Sequence, residues 1–478
     1  MTPIDPLHSE QYRVSIHGVN IPVYGSKSCK APFPFKCFKR GEHPGIKLSR
    51  PDAAGGPAQI AEAGNAPYWF CSLVVEEDQP VEVVITGEQS LAGARVHPAH
   101  AAEVVSAEKD RLVLRIKKPG AVSVEIKEEH GGRHGGLLLF ADAPETEIPD
   151  ANDPKVHFYG AGLHRVEVIH LRDNETLYLA PGAIIEGGVC IENAKNVRIM
   201  GRGIICGDPW GWRDGPQKDL MMFTDSEIIL VEGITLRCGW QWTFRMTGCS
   251  NITIRNIKIC GGKNLNDDGI DPSSCQSVLI DKCFIRTHDD NISVKAHCDD
   301  RRPCEKIEIR NCTHWSDLSR ILMVGPESYA DRIGDIHMHH CEILWLGPPI
   351  NKTGFGDWDG CAPAFCFQAG EDCTMENIVI ENITLHLDAD RDKRDLILIE
   401  PLQTVWAKRD TLGKLRKLWF RNMECLGPWQ PRICVWGKDE EHDVQDVCFK
   451  NIVINNELVD ESYPQLSLGD YTSGITFG

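Results

Sequence analysis

The chain has 478 residues, 42% of them hydrophobic, which is enough apolar material for a substantial core and argues against wholesale disorder. Its formal net charge of −18 leaves no basic excess to neutralise phosphates, so a nucleic-acid partner is not expected. No stretch approaches the roughly 18 consecutive apolar residues of a membrane span, so no membrane partner is expected either.

The N-terminal segment MTPIDPLHSEQYRVSIHG lacks a basic stretch followed by an apolar run, so no secretory leader is expected. Twenty cysteines are scattered through the chain, many inside strand-like segments such as IKIC and DKCFI. They read as small, buried, reduced residues of a cytoplasmic protein. No CxxC pair occurs, so neither a structural metal nor a cofactor is expected.

Residues 1–150 alternate apolar and polar positions in YWFCSLVVEE, VEVVITGE, DRLVLRIKK, GAVSVEIKE and GGLLLFADA. Gly, Pro and charged turns separate these runs, the pattern of an antiparallel β-sandwich. APETEIPDANDP, residues 143–154, has the acidic, Pro-rich composition of a linker.

From 151 to 478 a repeat takes over. NITIRNIKIC begins at Asn251, SVLIDKCFI at Ser277, KIEIRNCTHW at Lys306, DIHMHHCEIL at Asp335, NIVIENITL at Asn377 and DVCFKNIVI at Asp446. Each copy alternates, bends for two residues, then alternates again. Successive apolar starts at Val197, Ile228, Ile252, Val278 and Ile307 lie 31, 24, 26 and 29 residues apart. A single such unit cannot bury its apolar face. Stacked units, with strands about 4.7–4.9 Å apart, bury a continuous column. The fold class expected is therefore all-β: a right-handed parallel β-helix preceded by the β-sandwich. Asn256, Asn311, Asn382, Asn422 and Asn451 sit at the bend, where Asn tolerates a left-handed backbone and can form a hydrogen-bonded ladder.

Within this repeat, residues 266–295 read NDDGIDPSSCQSVLIDKCFIRTHDDNISVK. Asp268 precedes Asp289 by 21 residues and Asp290 by 22, close to one coil. The three carboxyls are expected to be stacked neighbours about 5 Å apart. Carboxylates so placed repel, and splitting their pKa values yields one acid and one base, the pairing used in glycosidic bond hydrolysis. Two bland readings compete: Asp-Gly is an ordinary turn signal, and clustered Asp oxygens suit a hard cation.

NDDGID and HDDNISVK are similar to the NTDGID and GDDCIAIK signatures of glycoside hydrolase family 28, the polygalacturonases. The β-sandwich plus β-helix layout, with YGAGLH and LYLAPGAIIEGG at the junction, resembles the related family 49, the dextranases and isopullulanases. The resemblance implies Asp289 as general acid and Asp268 with Asp290 as the pair that holds and deprotonates water, with inversion at the anomeric carbon. It also implies that Lys295 contacts a carboxylate or the substrate and that Asn266 orients its neighbours. Asp267 falls at the edge of this group, and His288 adjoins the acid.

Two family 28 signatures have no counterpart. SRILMVGPES stands where Gly-His-Gly is expected, with Arg320 near the His position, and APAFCFQAGED stands where Arg-Ile-Lys is expected. Without that cation pair a uronate loses its charge-assisted partner, so a neutral oligosaccharide or polysaccharide is the expected substrate. Arg320 can pair with an anion or with Glu327. Trp240, Trp242 and Trp358, with Trp315 and Trp345, are read as aromatic surfaces around the cleft on which sugar rings stack. The functional expectation is an inverting, exo-acting hydrolase. The alternatives are a β-helix polysaccharide lyase, a fructosyl transferase, or a non-catalytic glycan-binding β-helix. Oligomeric state is not legible.

Overall fold

The computed structural model describes residues 9, 11–26, 68–126, 136–264, 266–317, 319–347, 363–386, 395–404 and 407–478. Every regular element among them is a β-strand, and no helix long and apolar enough to cross a membrane is present.

The N-terminal region is a sandwich of two five-stranded sheets. One is built from Val19–Ile21, Tyr12–Ile16, Val81–Gly87, Arg111–Ile116 and Ala102–Ala107, paired antiparallel throughout. The other contains Tyr24–Gly25, Trp69–Val74, Leu137–Asp142, Gly120–Glu125 and Arg95–His97. It departs from the antiparallel expectation at its centre, where Trp69–Val74 and Leu137–Asp142 run parallel. Leu137–Asp142 is buried at every position, unlike a strand with one wet face. Its second face is covered by the rest of the chain: Phe70, Leu138 and Phe140 share a cluster with Ile184, Ile204, Phe284, Trp315 and Trp345.

Thirty strands from Val156–Tyr159 to Thr476–Phe477 form one continuously paired solenoid. Through the central coils each turn contributes three strands, two of which merge into one long strand from Arg332–Leu346 onward, and equivalent strands of successive coils pair parallel. Ser250–Arg255 aligns with Gln276–Asp281, that with Cys304–Arg310, and that with Arg332–Leu346. Inward residues fall into columns such as Ile252, Val278, Ile307, Ile336 and Ile378, all essentially inaccessible to solvent. These columns form the interior core.

The bend asparagines are left-handed, with φ between 49° and 54° from Asn256 to Asn451. The ladder forms only partly. Asn451 donates to Asn422 and Asn422 to Asn382, each at 3.0 Å, whereas Asn256 donates to Asp142 and Asn311 to Asp281, each at 2.8 Å. A second left-handed corner opens each copy, at Asn251, Ser277, Lys306, Asp335, Asn377, Lys417 and Asp446. Four of these seven are Asn or Asp, which tolerate such a backbone; at Ser277, Lys306 and Lys417 inter-coil pairing imposes it.

Toward the C-terminal end the column turns aromatic. Phe420 stacks on Phe449 with centroids 5.4 Å apart and meets Phe367 edge-on at 5.7 Å. Phe420→Ala is expected to cost about 3–5 kcal/mol, read as a lower denaturation midpoint. An unchanged midpoint would mean that these coils do not depend on the stack.

Candidate active site

Strand Ile270–Ser273 starts one residue after Gly269. A Cβ on Gly269 would lie 2.4 Å from the carbonyl oxygen of Asn291 in the next coil. The glycine of NDDGID is therefore a close-approach residue, and it brings the backbone of Asp268 against that of Asp290–Asn291. The amide of Gly269 donates to the Asp290 carbonyl at 2.8 Å, and Ile270 sits in register with Ile292. One carboxylate oxygen each from Asp268, Asp289 and Asp290 lies within 4.8 Å of the others. The stacking expected from one-coil spacing is realised.

The three carboxyls are held differently. Asp290 Oδ1 accepts from the Ser319 hydroxyl at 2.6 Å and from the Arg320 guanidinium at 3.0 Å. Arg320 thus pairs with Asp290 and not with Glu327; Glu327 goes to Lys295 at 3.4 Å. Asp268 pairs through Oδ2 with Lys295 at 3.3 Å. Burial, then the charge of Asp289, pushes the Asp268 carboxyl well above its ordinary range, with Lys295 opposing. Asp289 is the most exposed of the three. Burial and the adjoining Asp290 raise its carboxyl to about 7.

The remaining candidates separate cleanly. Asn266 reaches Asp289 at 3.5 Å, the long limit of a hydrogen bond. Lys295 is buried, and its ammonium lies 3.8 Å over the ring of Trp242. Burial works against that charge, but Glu327, Asp268, Asp271 and Asp290 hold it well above the usual lysine range. Trp242 is half-buried, stacks on His297 and lines the cleft. Trp240 does not. It is fully buried in the coil interior, donates its indole N–H to the Gln217 carbonyl at 2.8 Å and meets Trp210 edge-on. Alternation sends neighbouring even positions to one face only inside a strand, and Trp240 and Trp242 lie in the bend before Phe244–Thr247. Trp315 and Trp345 pack on each other beneath the sandwich, away from the cleft. Asp267 and His288 are buried and bonded to backbone groups, so neither presents itself to a substrate. Trp358 lies outside the described residues.

The fold adds residues that the linear pattern did not flag. Asp271 pairs in register with Arg245 of the preceding coil, is inaccessible, and has no hydrogen-bond partner for either oxygen among the described residues. Burial pushes it well above the usual carboxylate range, against the pull of Lys295. Beside it an open cleft of about 440 Å³ is lined by Lys218, Thr224, Trp242, Arg245, Thr247, His297, Glu327 and Lys408. Arg245 is held by Asp219 at 3.0 Å. Lys218 and Lys408 have no carboxylate within ion-pair distance among the described residues, and burial with neighbouring Arg245 lowers the Lys218 pKa. Asp271 was visible inside NDDGID, and the repeat register would have paired it with Arg245. Lys218 and Lys408 carry no sequence signal, because both come from irregular segments between strands.

Residues 182–316 match the model described as glycosyl hydrolases family 28. The family 28 segment contains Asp268, Asp289, Asp290 and Lys295 and ends before Arg320. The "Probable polygalacturonase" of Vitis vinifera is 30% identical over 138 residues, 27% of this chain and 28% of that protein. Polygalacturonase QRT2 of Arabidopsis thaliana is 28% identical over 118 residues, 22% of this chain and 27% of that one. The chain thus spans little more than a quarter of the length of these curated relatives. Among solved structures, Dex49A from Penicillium minioluteum superposes with a TM-score of 0.63 at 14% identity, covering 100% of this chain and 96% of that one. That likeness, at such low identity, is one of fold.

A carboxyl raised in the folded state holds its proton more tightly there than in the unfolded chain. Its stabilising contribution is complete below the ordinary Asp range and is lost as pH rises through the folded value. Asp271→Asn is therefore expected to raise the melting temperature at about pH 8, with the gain shrinking toward about pH 4. Equal melting temperatures at both pH values would mean that Asp271 titrates normally.

Proposed function

We propose that this chain is a glycoside hydrolase in which Asp289 is the general acid and Asp290, with Asp268, activates water. The observation that carries the reading is the convergence of three carboxyls from two successive coils, each held by a different partner. An acid that is protonated near neutrality, beside a carboxylate ion-paired to Arg320, is the division of labour that glycosidic cleavage needs. Asp289 donates its proton to the glycosidic oxygen as the C–O bond breaks. Water adds to the anomeric carbon and gives its proton to Asp290, while Lys295 and Asp268 fix that water's position.

The sequence pointed to a neutral substrate because two cation-bearing signatures are missing, whereas the cations around the cleft favour an acidic one. Lys218, Arg245 and Lys408 converge on the cleft beside Trp242, in a chain whose net charge is −18. Arg245 is paired with Asp219, but Lys218 and Lys408 have no carboxylate at ion-pair distance among the described residues, and cations concentrated at one cleft of an acidic protein favour a sugar that bears an anionic group. The names of the two plant relatives agree with an acidic glycan.

Exo action is supported by the floor of the groove. The column through Arg245 and Asp271 continues in register to Met323, Cys366, Leu398 and Cys434, and these four are buried. Their burial leaves that stretch of the face without exposed side chains for a polymer to lie along, which suits a chain end.

Incubation with oligogalacturonides and with neutral α-linked oligosaccharides, with the first product's anomer read by NMR, tests the reading. Acidic oligomers are expected to be shortened from one end with inversion. A retained anomer would turn Asp268 or Asp290 into a nucleophile, as the short carboxyl separation alone would suggest. Asp289→Asn is expected to lower kcat by about 10²–10⁴-fold. The parent rate is expected to fall as pH rises through about 7, where Asp289 loses its proton. Unchanged turnover in Asp289→Asn would refute the assignment.

A further inference from the structure

Asp267 is the acidic residue of NDDGIDPSSC that the cleft does not use, yet it is among the least accessible groups in the protein. Its Oδ1 accepts from the backbone amides of His288 at 2.9 Å and of Asp289 at 3.0 Å. Its Oδ2 accepts from the amide of Gly262 at 2.6 Å. Three backbone donors from two coils therefore converge on one carboxylate, and one of them belongs to the proposed acid.

The loop that holds Asp267 is shaped around it. A Cβ on Gly261 would lie 2.5 Å from Asp267 Oδ2 and 2.8 Å from the Arg286 carbonyl, and Gly262 has a φ of +112°. On its other side the loop is fastened to the N-terminal sandwich. The hydroxyl of Tyr68 donates to the Gly261 carbonyl at 2.7 Å. The Tyr68 ring lies under the guanidinium of Arg286 at 3.7 Å, and Arg286 is bound bidentately to Asp317 at 3.0 and 3.2 Å. Arg286 is three residues before Asp289, on the strand that leads into the catalytic turn.

We infer that Asp267 is a positioning residue for Asp289 and that Tyr68 of the N-terminal sandwich anchors it through Gly261–Gly262. The role rests on the reading of Asp289 as the acid. The sandwich is then part of the catalytic geometry, because it sets the loop whose carboxylate fixes the Asp289 backbone. Charged groups facing Asp289 are Asp267, Asp268, Asp271, Asp290, Lys295 and Arg320. Those facing Asp267 are His288 and Asp289. Removing the charge of Asp267 withdraws one negative neighbour from Asp289 and makes its proton easier to lose.

The test uses the full chain, with Tyr68→Phe and Asp267→Asn assayed on the oligosaccharide that the parent turns over. Both variants are expected to lose about tenfold or more in kcat with KM little changed, since a misplaced acid costs rate and not ground-state binding. Asp267→Asn is also expected to move the alkaline limb of the rate profile to lower pH. Tyr68→Phe changes no charge near Asp289 and is expected to leave the limb in place. Parent-like kcat in both variants, with an unmoved limb in Asp267→Asn, overturns the inference, even if their melting temperatures fall. If Asp267→Asn does not fold, the kcat of Tyr68→Phe decides alone. Should Asp289→Asn retain turnover, it is the assignment of the acid that fails. An inactive Asp289→Asn beside unaffected Tyr68→Phe and Asp267→Asn removes only the positioning role.

Discussion

The register between coils governs this molecule. Each backbone N–H of a strand must find a carbonyl one coil away, so equivalent residues are held about 4.8 Å apart along the axis. For apolar side chains that constraint is favourable, and it produces the isoleucine columns of the interior and the phenylalanine stack near the C-terminus. For carboxylates it is costly, because like charges are held close with little solvent between them. The Asp268, Asp289 and Asp290 cluster exists because the same hydrogen bonds that build the solenoid leave those side chains nowhere else to go.

The surroundings of the cluster answer that cost only in part. Lys295 and Arg320 each hold one acid, and Lys295 is itself clamped by Glu327 and by the face of Trp242. Asp271 has no hydrogen-bonding partner among the described residues, and the free oxygen of Asp268 has none. A buried carboxyl without partners shifts toward its neutral form, which lowers stability at neutral pH. At this one place the coil register works against stability, and the apolar columns above and below carry the difference.

The segment that matches family 28 holds the acids, Lys295, Lys218 and Arg245, while Arg320, Glu327 and Lys408 fall outside it. The matched segment thus supplies the clustered acids and some of the cations. The coils beyond it supply the clamp on Asp290, the clamp on Lys295 and the last cation of the cleft. The N-terminal sandwich enters from a third direction, through Tyr68 and through the buried ion pair between Asp142 and Lys258.

The all-β character, the repeat, its length and the stacking of Asp268 on Asp289 and Asp290 were legible in the sequence, because period-two alternation and a recurring bend are local signals. The left-handed corners at Asn256 or Asn451 were legible for the same reason, while those at Lys306 or Lys417 were not, since the backbone there is set by pairing with neighbouring coils. Trp240 was misplaced because a bend breaks the alternation that tells inside from outside. The parallel pair in the sandwich, the partner of Arg320, the burial of Asp267 and the cations around Trp242 depend on contacts between distant segments. Sequence by itself determined which acids are brought together, through their spacing along one coil. Only the tertiary structure decided which cation holds each acid and what charge the cleft presents, because Coulomb energies depend on distance through space, and the residues concerned are up to 190 positions apart, as Lys218 and Lys408 are.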